Sequence, residues 1–240
     1  MVHQWERAKK NDDGGFVEMS AVAVVVDNGE PTLARCVGSL RAQTVPIRVV
    51  VAAGPKTDLA LAKRLADEVY PPISGIGRAR VNAILNEKCE YVLSCDSDSV
   101  YESHYAEYAT QDLRGGAKAV KAGVILPLDW SNPLAVCESA LSLIPPYEFA
   151  LAFRRSEFLK LGVVEEAERA SDARWDIGWR VVTGLGALPD FRMVVWSKLP
   201  TYGANHVAQN YAPSLVAGLA PIFSVAGIAA ASSLKTLVSL

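Results

Sequence analysis

From Ala21 onward the chain alternates between short unbroken apolar runs and longer stretches whose apolar residues recur every three or four positions. The first kind reads as strands buried on both faces, the second as helices with one face toward them. AVAVVVD (21–27) is the first such strand. NGEPT then makes a turn, with Pro31 where a first helical turn tolerates proline. TLARCVGSLRAQ (32–43) follows, placing Leu33, Cys36, Val37 and Leu40 on one helix face. IRVVVAA (47–53) and LALAKRLADEV (59–69) repeat the strand and helix.

RARVNAILNE (78–87) predicts a third helix, and YVLSC (91–95) a strand that runs directly into Asp96-Ser97-Asp98. Further strands are predicted over 117–127, 148–153 and 191–196, and a helix over 171–184 stopped by Gly184. This alternation predicts an α/β domain with a mostly parallel central sheet flanked by helices. Ligands of such sheets sit beyond the carboxyl ends of the strands. Asp27, the Ala52 to Gly54 stretch, and Asp96 to Asp98 all fall at that edge.

Composition narrows the class. With 240 residues, half of them apolar, the chain can bury the core of one full domain, which excludes a disordered or small-scaffold protein. Twenty-four basic residues against 26 acidic ones give a net charge of -2, so there is no bulk attraction for nucleic acid and no such partner is expected. Cys36, Cys89, Cys95 and Cys137 are scattered, without a C-x-x-C pair, and read as reduced thiols. The first 19 residues mix both charges and hold no apolar segment, so they do not read as a signal peptide, and a cytoplasmic location is expected.

Between Lys198 and Lys235 there is no Asp, Glu, Lys or Arg. Leu215 to Ala231 is apolar, but at the short limit of the roughly 17–25 residues that a spanning helix needs. Pro221, Gly218 and Gly227 weaken it further. The expectation is an apolar helical tail over 201–240 that spans the membrane, lies on its cytoplasmic face, or packs on the domain.

Two carboxylates one residue apart after a strand can jointly hold a hard divalent cation and leave positions open for phosphate oxygens. Asp-x-Asp also serves ordinary turns. Arg78 and Arg80 follow a Gly75-x-Gly77 turn at a helix start, which suits a phosphate; a solvated helix face is the alternative. Asp172 and Asp176 stand one turn apart on one helix face, where either could approach an acceptor hydroxyl. Arg180 at i+4 offers Asp176 an ordinary ion pair instead. Arg154 and Arg155 suit phosphate oxygens or a structural salt bridge.

The succession AVAVVVDNG, SLRAQTVPIRVVVAAGPKTD, GIGRARVNAI and EYVLSCDSDS resembles the nucleotide-sugar half of the family 2 glycosyltransferases, which have the GT-A fold. EFALAFRRSEFLKLG (148–162) and WDIGWRVVTGLG (175–186) extend the resemblance more loosely. It implies a GT-A domain over 20–200, with a nucleotide-sugar half at 20–127 and an acceptor half at 128–200, after a polar segment at 1–19. The implied reaction is a metal-dependent, inverting hexosyl transfer from a UDP- or GDP-sugar to a glycan or lipid-linked acceptor, with Mg²⁺ or Mn²⁺ as cofactor. On this resemblance Asp27 lies beside the nucleotide, Arg78 or Arg80 reaches the diphosphate, and Asp96 and Asp98 hold the metal. Ala52, Gly54, Ser97 and Arg155 complete the implied donor contacts, and Asp172 or Asp176 serves as general base.

Two departures from the family pattern bear on these roles. An acidic pair that often follows the family's second strand is replaced by Ala52-Ala53-Gly54. Alanine cannot accept a hydrogen bond from a base N–H, so backbone groups or another side chain must read the base, and the choice of nucleotide stays open. Where the family shows Glu-Asp-x-Asp, this chain has Ala173 and Arg174. A phosphate acceptor, already ionised near neutral pH, needs little general-base help, which fits both that departure and the apolar tail. Two alternatives remain: a donor-binding or scaffold protein without chemistry, and a sugar-phosphate nucleotidyltransferase. The single glycine of VVVDNGEPT argues against the second.

Overall fold

The structure, a computed structural model, describes residues 21–131, 150–164 and 178–197. β1 (Ala21–Asp27) is buried along its whole length, as its unbroken valine run requires. It pairs in parallel with β2 (Arg48–Ala53) on one side and β4 (Tyr91–Asp96) on the other. β3 (Glu68–Tyr70) extends the parallel set beyond β2. α1 (Leu33–Arg41) makes the first crossover, burying Leu33, Cys36, Val37 and Leu40. The second, α2 (Leu59–Leu65), is capped by the Asp58 carboxylate, which accepts the Leu61 N–H at 3.0 Å. The third, α3 (Ile76–Asn86), starts after Gly75 and carries no acidic residue in its first turn.

Beyond β4 the architecture departs from the parallel expectation. β5 (Ser99–Tyr101) follows β4 after a two-residue turn, and α4 (Tyr105–Arg114) leads to β6 (Ala119–Pro127). β7 (Leu151–Arg154) runs antiparallel to both β4 and β6, because the chain enters it from the edge where β6 ended. β8 (Leu188–Ser197) pairs in parallel with β6 and antiparallel with β5. The result is one mixed sheet in the order β3-β2-β1-β4-β7-β6-β8-β5, rather than a mostly parallel one.

Apolar side chains alternate across the sheet. One core layer holds Val25, Leu93 and Cys95 under α1 and α4. The other holds Val24, Val50 and Val92 under α3, α5 (Arg155–Leu159) and α6 (Gly178–Leu185). α6 passes through Gly184, whose missing Cβ leaves room for Leu161. The left-handed residue that ends it is Gly186, at φ +67°. No helix among the described residues is long and apolar enough to cross a membrane. The tail expected over 201–240 lies outside the described residues, as do Asp172, Asp176 and Cys137.

Candidate functional site

Parallel register brings three strand ends level: Val26 stands opposite both Ala52 and Asp96. Asp96 therefore lies at the carboxyl edge of the sheet, flanked by the loops after β1 and β2. Period two turns Ser94 and Asp96 toward the face covered by α3. There the Arg80 guanidinium bonds the Ser94 hydroxyl at 3.0 Å and pairs with an Asp96 carboxylate oxygen. Arg80 is 6% exposed, whereas Arg78, two residues nearer the helix start, is open to solvent.

The two aspartates differ in setting. Asp96 keeps 30% of its side chain accessible while paired to Arg80. Asp98, half-buried, accepts a hydrogen bond from the Ser99 hydroxyl at 3.0 Å. Ser99 lies 3.1 Å from the Ser197 hydroxyl, tying the turn to the end of β8. The turn's peptide groups are also held. The Asp96 N–H donates to the Tyr101 hydroxyl at 2.9 Å, and the Cys36 thiol donates to the Asp96 carbonyl at 3.4 Å. The Ser97 N–H donates to Val26 O at 3.0 Å, while Ser97 O accepts from the Thr32 hydroxyl at 2.9 Å. Ser97 itself is buried, so its side chain offers a donor little surface.

Asp27 is 1% exposed, and its carboxylate accepts the Gly29 and Glu30 N–H groups at 3.0 and 3.1 Å. It shapes the loop after β1. The loop after β2 is fastened to it: Gly54 N–H donates to Asp27 O at 2.6 Å, and Lys56 N–H to Asn28 Oδ1 at 3.2 Å. A Cβ on Gly54 would lie 2.6 Å from Asn28 Oδ1 and 3.0 Å from Asp27 O, so the two loops approach most closely at this glycine. Ala52 is fully buried within β2 and presents no surface to a donor.

Arg155 is not at this edge. Its guanidinium donates to the carbonyls of Ile84 and Leu85 at 2.9 Å each, closing the carboxyl end of α3. Its own N–H bonds Glu90 O beside the start of β4, which lies roughly 16 Å from Asp96 at strand rise. Arg154 pairs with Glu90 at 2.7 Å and donates to Leu113 O, which is the structural alternative of the two sequence readings.

Several neighbours carry no motif that would reveal them. Ser99, Tyr101 and Thr32 reach the turn because the chain reverses into β5 and α1 packs behind it. Lys121, 1% exposed, lies level with Leu151 and through it with Ser94, on the face that Arg80 covers. Burial lowers its pKa. Burial and the nearby acidic groups raise the Cys36 thiol, so both it and its hydrogen bond to Asp96 persist at neutral pH. Among the described residues, no group of three or more His, Cys, Asp or Glu side chains could hold a metal ion by itself.

No family model and no curated protein matches the chain. Solved structures of S. aureus TarS are similar in fold. One covers 73% of this chain and 35% of its own length, at 16% identity and a TM-score of 0.49. TarS 1–349 in complex with UDP-GlcNAc covers 60% and 47%, at 18% identity and a TM-score of 0.44. TarS 1–349 in complex with UDP covers 65% and 52%, at 17% identity and a TM-score of 0.45. The chain thus spans between about a third and a half of the TarS chains it matches.

Proposed function

We propose that this chain is a nucleotide-sugar-dependent glycosyltransferase of the GT-A type, whose donor diphosphate sits against Asp96, Asp98 and Arg80. The observation that carries the reading is the meeting of an Asp-x-Asp turn and a buried arginine at the level carboxyl ends of parallel strands.

A divalent cation suits the donor set in part. Asp96 and Asp98 supply hard carboxylate oxygens, and two protein ligands are enough for Mg²⁺ or Mn²⁺ when diphosphate oxygens and water complete the shell. Bound there, the cation would neutralise charge on the departing nucleoside diphosphate. Arg80 adds a fixed positive charge whose guanidinium is already oriented by Ser94 and Asp96, so it costs little reorganisation as that charge develops. The Asp96 oxygen outside the Arg80 pair is left to bind the donor. Ser99 holds the Asp98 carboxylate toward its own side of the turn. The loops after β1 and β2, fastened through Gly54 and Asn28, form the wall against which the base would lie, read by backbone groups rather than by Ala52.

The finer reading follows the chain's two departures. Transfer is inverting, with Asp172 or Asp176 assisting a hydroxyl acceptor. For a polyprenyl phosphate or other lipid-linked phosphate acceptor at the cytoplasmic membrane face, neither carboxylate is needed. Asp172→Asn separates these cases: full activity in that variant relieves Asp172 of base duty.

The test is nucleoside diphosphate release by the full chain in detergent from a panel of UDP-, GDP- and dTDP-sugars, with Mn²⁺ or Mg²⁺, with glycan and lipid-linked acceptors supplied. Release from one donor that disappears with chelator and in Asp98→Ala supports the reading. Nucleotide binding without release or transfer across the panel overturns it in favour of a non-catalytic donor-binding protein.

A further inference from the structure

Tyr101 is five residues past Asp96 in sequence, yet its hydroxyl lies 2.9 Å from the Asp96 backbone nitrogen. The two-residue turn sends β5 back along the body of the domain, and the phenol reaches across the turn to its starting point. From behind, the Tyr101 ring packs on Tyr105 of α4 at 4.8 Å between centroids, and the Tyr101 N–H donates to Ser39 Oγ of α1 at 3.1 Å.

We propose that Tyr101 is a positioning residue for the donor site: it clamps the Asp96-Ser97-Asp98 turn shut and thereby sets the spacing of the two carboxylates. The inference rests on the reading of that turn as the diphosphate site. Thr32, bonded to Ser97 O, is a further side-chain fastener of the same turn, beside the Cys36 thiol on Asp96 O. Nothing in the sequence marks Tyr101 or Thr32, because the contact exists only once the chain has reversed. Two carboxylates that must share a cation with a diphosphate need fixed separation, and a turn held only at its strand end would leave Asp98 free to swing. Partners of this supporting kind are typically worth about 10–100-fold in metal affinity or activity.

Tyr105 provides the control. Its ring packs tilted against that of Tyr101, it is likewise buried, and its hydroxyl has no hydrogen-bond partner among the described residues. Tyr105→Phe removes the same atom from the same aromatic pair without touching the turn.

The experiment measures UDP and GDP affinity by calorimetry across a Mn²⁺ series, together with thermal unfolding, in the full-length wild type, Tyr101→Phe, Thr32→Val and Tyr105→Phe. The expected result is a rise of about tenfold in the Mn²⁺ concentration that half-saturates nucleotide binding for Tyr101→Phe, and a smaller rise in the same direction for Thr32→Val. Tyr105→Phe should match the wild type. A purely structural role would lower the unfolding temperature but leave the Mn²⁺ dependence of the folded molecules unchanged. An unshifted Mn²⁺ requirement in both turn variants, beside a wild type that binds nucleotide with Mn²⁺, overturns the clamp alone. A wild type that binds neither nucleotide with Mn²⁺ overturns the donor-site reading and the clamp with it. Should Tyr101→Phe fail to fold, Thr32→Val decides the matter.

Discussion

Asp96 has its charge balanced before any ligand arrives. The Arg80 guanidinium that pairs with it is almost wholly buried, so removing one partner strands the other in a poorly solvated place. Arg80→Met should therefore destabilise the domain by about 1–3 kcal/mol, at the lower end because Asp96 keeps contact with water. It should also weaken nucleoside diphosphate binding; urea unfolding and a nucleotide titration check the two effects separately. A second residue-scale effect concerns His104, whose Nδ1 lies 3.0 Å from a Glu102 oxygen. The hydrogen bond and charge of Glu102 raise the His104 pKa above 6.5. For Glu102, burial pushes upward but is outweighed by hydrogen bonds from His104 and Ser103, so its pKa falls below 4.5. The raised imidazole contributes stability below its unfolded value and loses it as pH rises through the folded value. The lowered carboxylate contributes above its unfolded value and loses it as pH falls. The pair thus counts most between about pH 4.5 and 6.5. His104→Gln should show its largest deficit in unfolding temperature within that window, and a gap that narrows by about pH 8. At this scale the sequence made Asp96, Asp98, Arg78 and Arg80 visible through type and spacing. Arg155 looked alike but caps α3, because a strand followed by arginine does not say at which end of the sheet the strand finishes.

Among the elements, β1, β2, β4 and α1 were readable because burial on two faces, or on one helical stripe, leaves an unambiguous period. β3 was hidden inside a predicted helix at 59–69. It is a three-residue edge strand carrying Glu68, and edge strands tolerate charge. α4 was missed because it buries alanines and a threonine between Tyr105 and Leu113 instead of large apolar residues. The β6–β8 pair holds a further feature that no pattern reveals. Its register shifts between Ala122 and Val124, and a Cβ on Gly123 would come within 2.7 Å of Asp190 and Phe191 backbone atoms. Gly123→Ala should cost about 2 kcal/mol or more through overpacking against a backbone that cannot yield, seen as a lower urea midpoint with an unchanged slope.

For the whole molecule, the sheet's two edges divide the work. The carboxyl edge of β1, β2 and β4 gathers the Asp-x-Asp turn and Arg80. The opposite edge is built from structural pairs, with Arg154 on Glu90 and Arg192 on both Asp112 and Asp190. An open depression of about 600 Å³ beside Arg192 belongs to this second edge and lies away from the candidate chemistry. The mixed sheet follows from the same division: β7 and β5 leave the carboxyl edge and must run back antiparallel to their neighbours. An alternating strand and helix pattern carries no sign of that reversal, because direction depends on where each connection re-enters the sheet. The central claim is that a nucleoside diphosphate and a divalent cation meet at the Asp96-Ser97-Asp98 turn. Its most direct test is a crystal of the full chain soaked with UDP, or with GDP, and Mn²⁺, and read by anomalous diffraction. A manganese peak in contact with the Asp98 carboxylate and with both phosphates is expected. Nucleotide bound at another edge of the sheet, or manganese bound without contact to Asp98, would contradict it.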